Sequence, residues 1–478
     1  MERSGGRAPP FQLHTSPEGE KPIKIFEMHE MREPTPDRPI VNTTVLGQQP
    51  HEAILRSVIE SDYGVTVEVG AALVSLVQHP DSVTVVLDHH DGEQETAKFD
   101  WVIGADGARG VVRKQLGLTF LGETREGDKF VIGDIFVKSG LEGRFCRSWG
   151  TNADRQINLL TFEKHEDRYT FICGGVNLDC DKMSSSREAW VEMFYDVTGR
   201  RDVVFGEVIW MGTWRPNIRM ANKFGEGRVF IVGDAAHVHS PTGAQGMNSC
   251  VQDAINLGWK IALVHKKLSP PTLLESYTAE RLPVIASMLG RTTELLNNTY
   301  KAETANSGLG RPLEMHQLGV NYRGSDIVVD RLGQPATVDP YRSGLDGGPS
   351  RAGDRAPDAP DLVEASDANI KSLFDVFRPT HHTVLVFGRE GLDNVLSLVG
   401  KYPREVVKTA VICPPDSGAT EANTQQGVDF TFVDEKGYAH KHYGIEKSSV
   451  VVVRPDGYVG AVVDDHEGLQ QYFSKIFV

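Results

Sequence analysis

The sequence predicts a mixed α/β protein in three parts: an α/β domain, an antiparallel sheet inserted within it, and a separate α/β unit towards the C-terminus. Three observations carry that expectation. Two apolar runs, "WVIGAD" and "RVFIVGDAA", each lead into a helical pattern, as strands buried on both faces of a parallel sheet do. Between them lies a block dominated by β-rich runs such as "QINLLTF", "RYTFICGGV" and "GEVIWMGTW". Beyond about residue 365, strand and helix patterns alternate again.

Residues 1–40 are polar and rich in Pro, Gly and charge, broken only by "IKIFEM", and are expected to be poorly ordered. The α/β domain begins over 41–130. There "QPHEAILRSVIESDYG" places Ile54, Leu55, Val58 and Ile59 at helical spacing, and Asp91-Gly92 suits a hairpin turn between β-rich runs. The inserted sheet covers 131–214, and the α/β domain resumes over 215–339 with the helical "LLESYTAERLPVIASML". The segment 340–364 is dense in Gly, Pro and charge and reads as a linker. The unit 365–478 closes with a helix whose Leu469, Tyr472, Phe473 and Ile476 share one apolar face.

Composition excludes several functions. A formal charge of -15, from 50 Lys+Arg against 65 Asp+Glu, argues against nucleic acid or an anionic membrane as partner. No secretory signal is visible, and no apolar run reaches the roughly 18 residues of a membrane span, so a cytoplasmic protein is expected. The 5 cysteines are scattered without C-x-x-C spacing, which suits reduced, buried thiols. No P-loop, G-x-S-x-G or zinc spacing is present, and His237-x-His239 has no partner cluster for a metal.

The stretch "GRVFIVGDAAHVHSPTGAQGMNSCVQDAINLGWKIAL" carries the most chemistry. Gly233 allows a tight turn where the strand ends, and the Asp234 carboxylate there can accept hydrogen bonds from sugar hydroxyls. Gly243 and Gly246 free the backbone before a helix whose unpaired N–H groups can approach an anion or a polar ring edge. On that helix Met247, Cys250, Val251, Ala254, Gly258, Ile261 and Ala262 read as the inward stripe, with Asn248, Gln252, Asn256 and Lys260 on another face. A plain strand-loop-helix with no ligand satisfies the same pattern. In "DWVIGADGARGVVRKQLGL", Asp106-Gly107 and the basic residues Arg109, Arg113 and Lys114 read either as a turn and a solvated helix face or as a turn near a nucleotide.

Together the two stretches resemble the fingerprints of group A flavin-dependent aromatic hydroxylases, in the phenol 2-monooxygenase-like branch. The resemblance continues in order through "TWRPNIRMANKFGEGRVFIVGDAAH", "LLESYTAERLPV", "HQLGVNYRGS", "RAGDRAPDA" and "VVVVRPDGYVG", and covers about nine tenths of the chain, from Thr44 onwards. It implies an FAD-binding Rossmann-like domain over 41–130 and 215–339, a substrate-binding sheet over 131–214 and a thioredoxin-like domain over 365–478. It further implies that Asp106, Gly233 and Asp234 contribute to the flavin site. Pro241, Gly243, Gln245, Gly246, Met247 and Asn248 would lie along the isoalloxazine ring, with Gln48 near the cofactor. Tyr169, in "EDRYTF", would approach the substrate, although a strand residue packed in the core fits the same pattern. No catalytic base is assigned. NADPH would be the reductant, a phenolic or polyketide-type aromatic of secondary metabolism the substrate, and the C-terminal domain, lacking C-x-x-C, would serve packing or homodimer formation.

The chain departs from the family in one respect: it contains no G-x-G-x-x-G unit for the FAD pyrophosphate. By order of motifs it starts after the first βαβ of the fold, leaving the Rossmann-like domain incomplete. The "WVIGA" and "VFIVG" strands would then lose a shared neighbour, at about 1–3 kcal/mol for each buried unpaired backbone group. FAD would be held weakly, or lost. Two functional classes follow: an FAD-dependent monooxygenase, or a flavin-free homologue that uses the cavity for cyclisation, isomerisation or binding.

Overall fold

The computed structural model describes residues 5–478 apart from 18, 29, 126, 162–166, 241–242, 302–312, 334–338, 342–347, 365–369 and 416–424. Its architecture is mixed α/β. Helix α1 (Gln48–Tyr63) ends at Gly64, whose φ of 64° takes the left-handed form that closes a helix. An antiparallel sheet of Ala71–Gln78, Val83–His89 and Gln94–Phe99 follows, with Asp91 and Gly92 in the turn between the last two strands. The strand Val102–Gly104 then turns into the short helix α2 (Val111–Gln115).

The two apolar strands need no shared neighbour. Val102–Gly104 pairs directly and in parallel with Val229–Ile231, in the register Val102↔Val229, Ile103↔Phe230 and Gly104↔Ile231. Direct pairing satisfies backbone groups that the expected gap would have stranded. Among the described residues the other edge of Val102–Gly104 pairs with no strand, and Ile103 is exposed beside it.

The inserted sheet is larger than expected. Its order is Val204–Trp214, Phe130–Ser139, Arg168–Gly174, Gln156–Leu160, Cys146–Gly150, Phe11–His14, Pro22–Phe26. The last two strands correct the expectation that residues 1–40 are poorly ordered: Phe11–His14 pairs in parallel with Cys146–Gly150, and Phe11 and Leu13 are buried. Apolar residues in a polar segment sufficed once a sheet edge was available to pair their backbone. Helices α3 (Cys180–Met183) and α4 (Arg187–Thr198) lie beside this sheet, and α4 is capped by Ser186 Oγ accepting from Ala189 N at 3.1 Å. Trp149, Phe171, Trp190 and Phe194 make the aromatic core between α4 and the sheet.

Two long helices, α5 (Gly246–His265) and α6 (Glu275–Lys301), follow the Val229–Ile231 strand. The C-terminal sheet runs Val329–Asp330, Val459–Val463, Ser449–Val453, His382–Phe387, Val407–Cys413, Phe430–Asp434, Leu362–Glu364. His382–Phe387, Val407–Cys413 and Phe430–Asp434 are mutually parallel, whereas Ser449–Val453 and Val459–Val463 run antiparallel. Every residue of "HTVLVF" and "SVVVV" is buried, the pattern of strands covered on both faces. Helices α7 (Leu392–Val399), α8 (Tyr438–Tyr443) and α9 (His466–Ile476) complete the unit, and α9 buries the expected Leu469, Tyr472, Phe473 and Ile476.

The described part of the expected linker is packed rather than loose. Ala352, Ala356 and Ala359 are buried, Leu362–Glu364 joins the C-terminal sheet, and Asp354 receives both Nε and Nη2 of Arg323, at 2.7 and 2.8 Å. Its small side chains allow the backbone to lie against the neighbouring sheet, so composition that reads as a linker here serves close packing. No helix among the described residues is long and apolar enough to cross a membrane.

Candidate cofactor site

The strand Val229–Ile231 delivers Gly233 and Asp234 to a single turn of 3-10 helix. Gly233 has φ 60°, and a Cβ there would lie 2.9 Å from Cys250 Sγ, so both conformation and space require glycine. Asp234 is exposed at the strand end. Its Oδ1 lies 3.9 Å from Cys250 Sγ, and burial pushes the Cys250 thiol up to about 12, so it stays a protonated neighbour of the carboxylate.

Helix α5 is turned the opposite way to the sequence expectation. Met247, Val251 and Ile255 are exposed, whereas Ser249, Asp253, Asn256 and Lys260 are buried. The reason lies in what the polar residues meet. Asp253 Oδ2 accepts from Gly233 N at 3.1 Å and from His237 Nε2 at 2.7 Å, and its Oδ1 accepts from Arg281 Nε at 2.7 Å. Burial alone would raise the Asp253 pKa, but Arg281 and His237 outweigh it and hold the carboxyl below its ordinary range.

A second set of bonds fixes the loop before α5. Gln245, buried, donates from Nε2 to Gly243 O at 2.7 Å and to Met315 O at 2.8 Å. Its Oε1 accepts from Gln317 Nε2 at 2.5 Å, and Gln317 Oε1 accepts from Gln252 Nε2 at 2.6 Å. No side chain caps the first turn of α5 among the described residues, and Met247 and Asn248 are exposed there. The helix end, with its free N–H groups and positive dipole end, therefore stays open beside Asp234 and its loop.

Behind α5 lies a fully buried charge cluster that joins α5, α6 and the C-terminal unit. Glu280 receives Nη1 and Nη2 of Arg454 at 2.6 and 2.9 Å, Lys260 Nζ at 2.8 Å, Asn256 Nδ2 at 2.7 Å and Ser325 Oγ at 2.7 Å. Arg454 also donates from Nε to Asp456 Oδ1 at 3.0 Å, and Trp259 Nε1 donates to Asp456 Oδ2 at 3.1 Å. Burial pushes the Lys260 ammonium down, with Glu280 pulling it back. Burial pushes Glu280 up, but Arg454 and Lys260 overcome this and hold it well below the carboxylate range.

The structure joins some expected site residues and separates others. Gly233, Gly243, Gln245 and Gly246 belong to one bonded assembly with α5. Asp106 accepts from Val112 N at 3.0 Å, and a Cβ on Gly110 would lie 2.2 Å from its Oδ1. Arg113, buried, ties this turn to the assembly by donating to Ala108 O at 2.6 Å and Ala235 O at 2.7 Å. Gln48 is exposed at the start of α1 and donates to Glu52 Oε1 at 2.8 Å, with no bond to the loop among the described residues. Pro241 lies outside the described residues. Tyr169 is only 3% exposed and packs in the core shared with Trp190 and Phe194, its hydroxyl 3.5 Å from Arg147 Nη1, the core packing that the strand pattern also allowed. Alternation along the strand turns Tyr169 towards α4 and Thr170 the other way.

Sequence reasoning missed Asp253, Arg281 and Gln317. A signal existed: Ser249, Asp253, Asn256 and Lys260 recur at helical spacing as regularly as the apolar stripe. The donor and acceptor set suits the isoalloxazine and ribityl half of FAD. Asp234 offers an exposed carboxylate for hydroxyls, and the uncapped α5 terminus offers N–H groups for the polar ring edge.

Comparison with known proteins gives the family. The FAD binding domain family matches residues 21–292, and the phenol hydroxylase C-terminal dimerisation domain matches 419–478. A flavin-dependent monooxygenase of Mycobacteroides abscessus is 32% identical over 99% of this chain and 87% of its own length. Pentachlorophenol 4-monooxygenase of Sphingobium chlorophenolicum is 31% identical over 87% of this chain and 76% of its own. A ternary complex of aklavinone-11 hydroxylase with FAD and aklavinone has a TM-score of 0.76 at 23% identity, over 98% of this chain and 84% of that one, a likeness of fold. The chain belongs to the FAD-dependent aromatic hydroxylases and is an FAD-dependent monooxygenase.

Proposed function

We propose that this monooxygenase consumes NADPH and hydroxylates a phenolic or polyketide-type aromatic small molecule in secondary metabolism, in the cytoplasm. The observation that carries the reading is the exposed Asp234 carboxylate beside the uncapped α5 terminus, both fixed by buried hydrogen bonds. FAD supplies the redox and oxygen chemistry when bound. The chain's own part is binding, orientation and exclusion of water. Asp234 would accept from ribityl hydroxyls, and the open N–H groups of α5, with the helix dipole, would favour negative charge placed beside them. Gly243, Gln245, Gly246, Met247 and Asn248 would border the ring.

The aromatic substrate lies on the sheet face that carries Thr170, opposite the packed face of Tyr169. Asp134 gathers polar groups on that side, accepting from Thr170 Oγ1 at 2.6 Å, Trp210 Nε1 at 2.8 Å and Arg168 Nη2 at 3.0 Å. The chlorophenol-acting relative supports a phenolic ring, and the aklavinone-bound neighbour supports room for a polycyclic one on the same fold. The same reading makes the C-terminal unit a thioredoxin-like domain that serves dimerisation, supported by its strand order and by the dimerisation domain matched over 419–478.

The test is purified chain with added FAD, NADPH and a panel of chlorophenols and polyketide-derived phenols under ¹⁸O₂. Bound-flavin absorbance, substrate-dependent NADPH oxidation and one ¹⁸O in the product are expected. NADPH oxidation that no phenol stimulates, with no labelled product, would sink the substrate reading. Light scattering of the same sample tests the dimer.

A further inference from the structure

The cofactor-facing assembly has two halves that do not touch through backbone pairing alone: the strand end with Gly233 and Asp234, and the loop from Gly243 into α5. One side chain reaches both. Arg281 of α6 is fully buried and donates Nε to Asp253 Oδ1 at 2.7 Å, Nη1 to Gln252 Oε1 at 3.1 Å and to Tyr322 Oη at 3.1 Å, and Nη2 to Ser249 O at 3.2 Å. Through Asp253 it holds the Gly233 N–H and the His237 imidazole. Through Gln252 it reaches the amide chain Gln317–Gln245, which ends on Gly243 O.

We propose that Arg281 is a positioning residue that keeps the strand end and the α5 loop in one fixed spacing, and so sets the affinity of the chain for the flavin between them. The inference rests on the reading that Gly233, Asp234 and 243–248 face FAD. Its physical basis is the planar fork of the guanidinium, which reaches a carboxylate, a side-chain amide and a backbone carbonyl at once. A lysine keeps the charge opposite Asp253, but its three donors sit on one nitrogen and cannot replace the three separate nitrogens by which Arg281 reaches Asp253, Gln252 and Ser249. Gln317 shows how the second branch is held: its φ of 60° is a conformation that non-glycine residues rarely adopt, and its amide bonds on both sides keep it there.

The direction of each link is determined by chemistry. Asp253 uses both oxygens as acceptors, so His237 donates from Nε2 and carries its hydrogen there. Among the described residues His237 Nδ1 has no partner, which leaves the imidazole held by Asp253 alone. Loosening Arg281 therefore frees Asp253, and with it both the Gly233 amide and the ring two residues before His239.

The experiment compares R281K and Q317A with the unaltered full-length chain, by amide hydrogen exchange over 233–249 without cofactor and by quenching of FAD fluorescence on titration. Exchange about tenfold faster over 233–249 in both variants, and FAD affinity about tenfold weaker in R281K, are expected. A role in stability alone would lower the melting temperature but leave both readouts within about twofold below that temperature, and this result overturns the proposal. If R281K does not fold, Q317A, which leaves the Arg281–Asp253 pair intact, decides the matter on the same criteria. If the unaltered chain takes up no FAD, the cofactor reading fails, while the exchange measurement still confirms or refutes the positioning role by itself.

Discussion

Replacing Glu280 by Gln removes the hub of the charge cluster behind α5. Glu280 accepts two hydrogen bonds from Arg454 and one each from Lys260, Asn256 and Ser325, all at 2.6–2.9 Å. A glutamine keeps one acceptor oxygen and turns an NH₂ group towards donors. Lys260 and Arg454, both fully buried, then share Asp456 as their remaining nearby counter-charge. Removing one partner of a buried ion pair costs about 3–5 kcal/mol, and the lost charge-assisted hydrogen bonds alone reach that range at about 1.5–3 kcal/mol each. We expect E280Q to lose about 4 kcal/mol in urea unfolding followed by far-UV circular dichroism. K260M is the control, because Glu280 then keeps the Arg454 fork and a methionine fills similar volume; its cost should be less than half that of E280Q. A loss below about 1 kcal/mol for E280Q, or a larger loss for K260M, would refute the account of the cluster.

Other outcomes follow from the same geometry. Glu280 titrates below its unfolded value of 4.5, so on acidification the unfolded chain binds the proton first. The stability that Glu280 contributes is therefore complete above pH 4.5 and lost below it, and the acid limb of unfolding should flatten in E280Q. G233A should lose about 1–3 kcal/mol from its left-handed φ and its clash with Cys250, and adding C250A should restore only the steric share, as thermal unfolding would show. V251K should change stability by less than about 0.5 kcal/mol, whereas D253L should cost about 3–5 kcal/mol; equal costs for the two would mean that α5 is not oriented as described.

The strands were legible because apolar runs such as "HTVLVF" report burial on both faces whatever their partners are. The backbone at Gly233, Asp234 and Gly243 was legible for a related reason: these residues are constrained locally, by a turn and a strand end. Helix α5 was misread because periodicity locates a face without saying what covers it. The buried face carries Ser249, Asp253, Asn256 and Lys260 beside the apolar Leu257, Trp259, Leu263 and Val264, because Arg281 and Glu280 pair its polar members, and Glu280 is in turn held by Arg454, nearly two hundred residues distant. Phe11–His14 and Leu362–Glu364, within the segments read as poorly ordered and as a linker, were misjudged for the same cause: their order comes from distant strands, through backbone pairing at Cys146–Gly150 and Phe430–Asp434.

The polar interior of α5 also bears on motion. An apolar helix face can slide or roll by a fraction of a turn, exchanging one van der Waals contact for another at small cost. A face of paired charges has no such intermediate position, since a shift of one residue, about 1.5 Å, would unpair Asp253, Asn256 and Lys260 together. The helix is thus a fixed post for the strand end at Gly233 and for the loop residues Gly243 and Gln245 that are bonded to it.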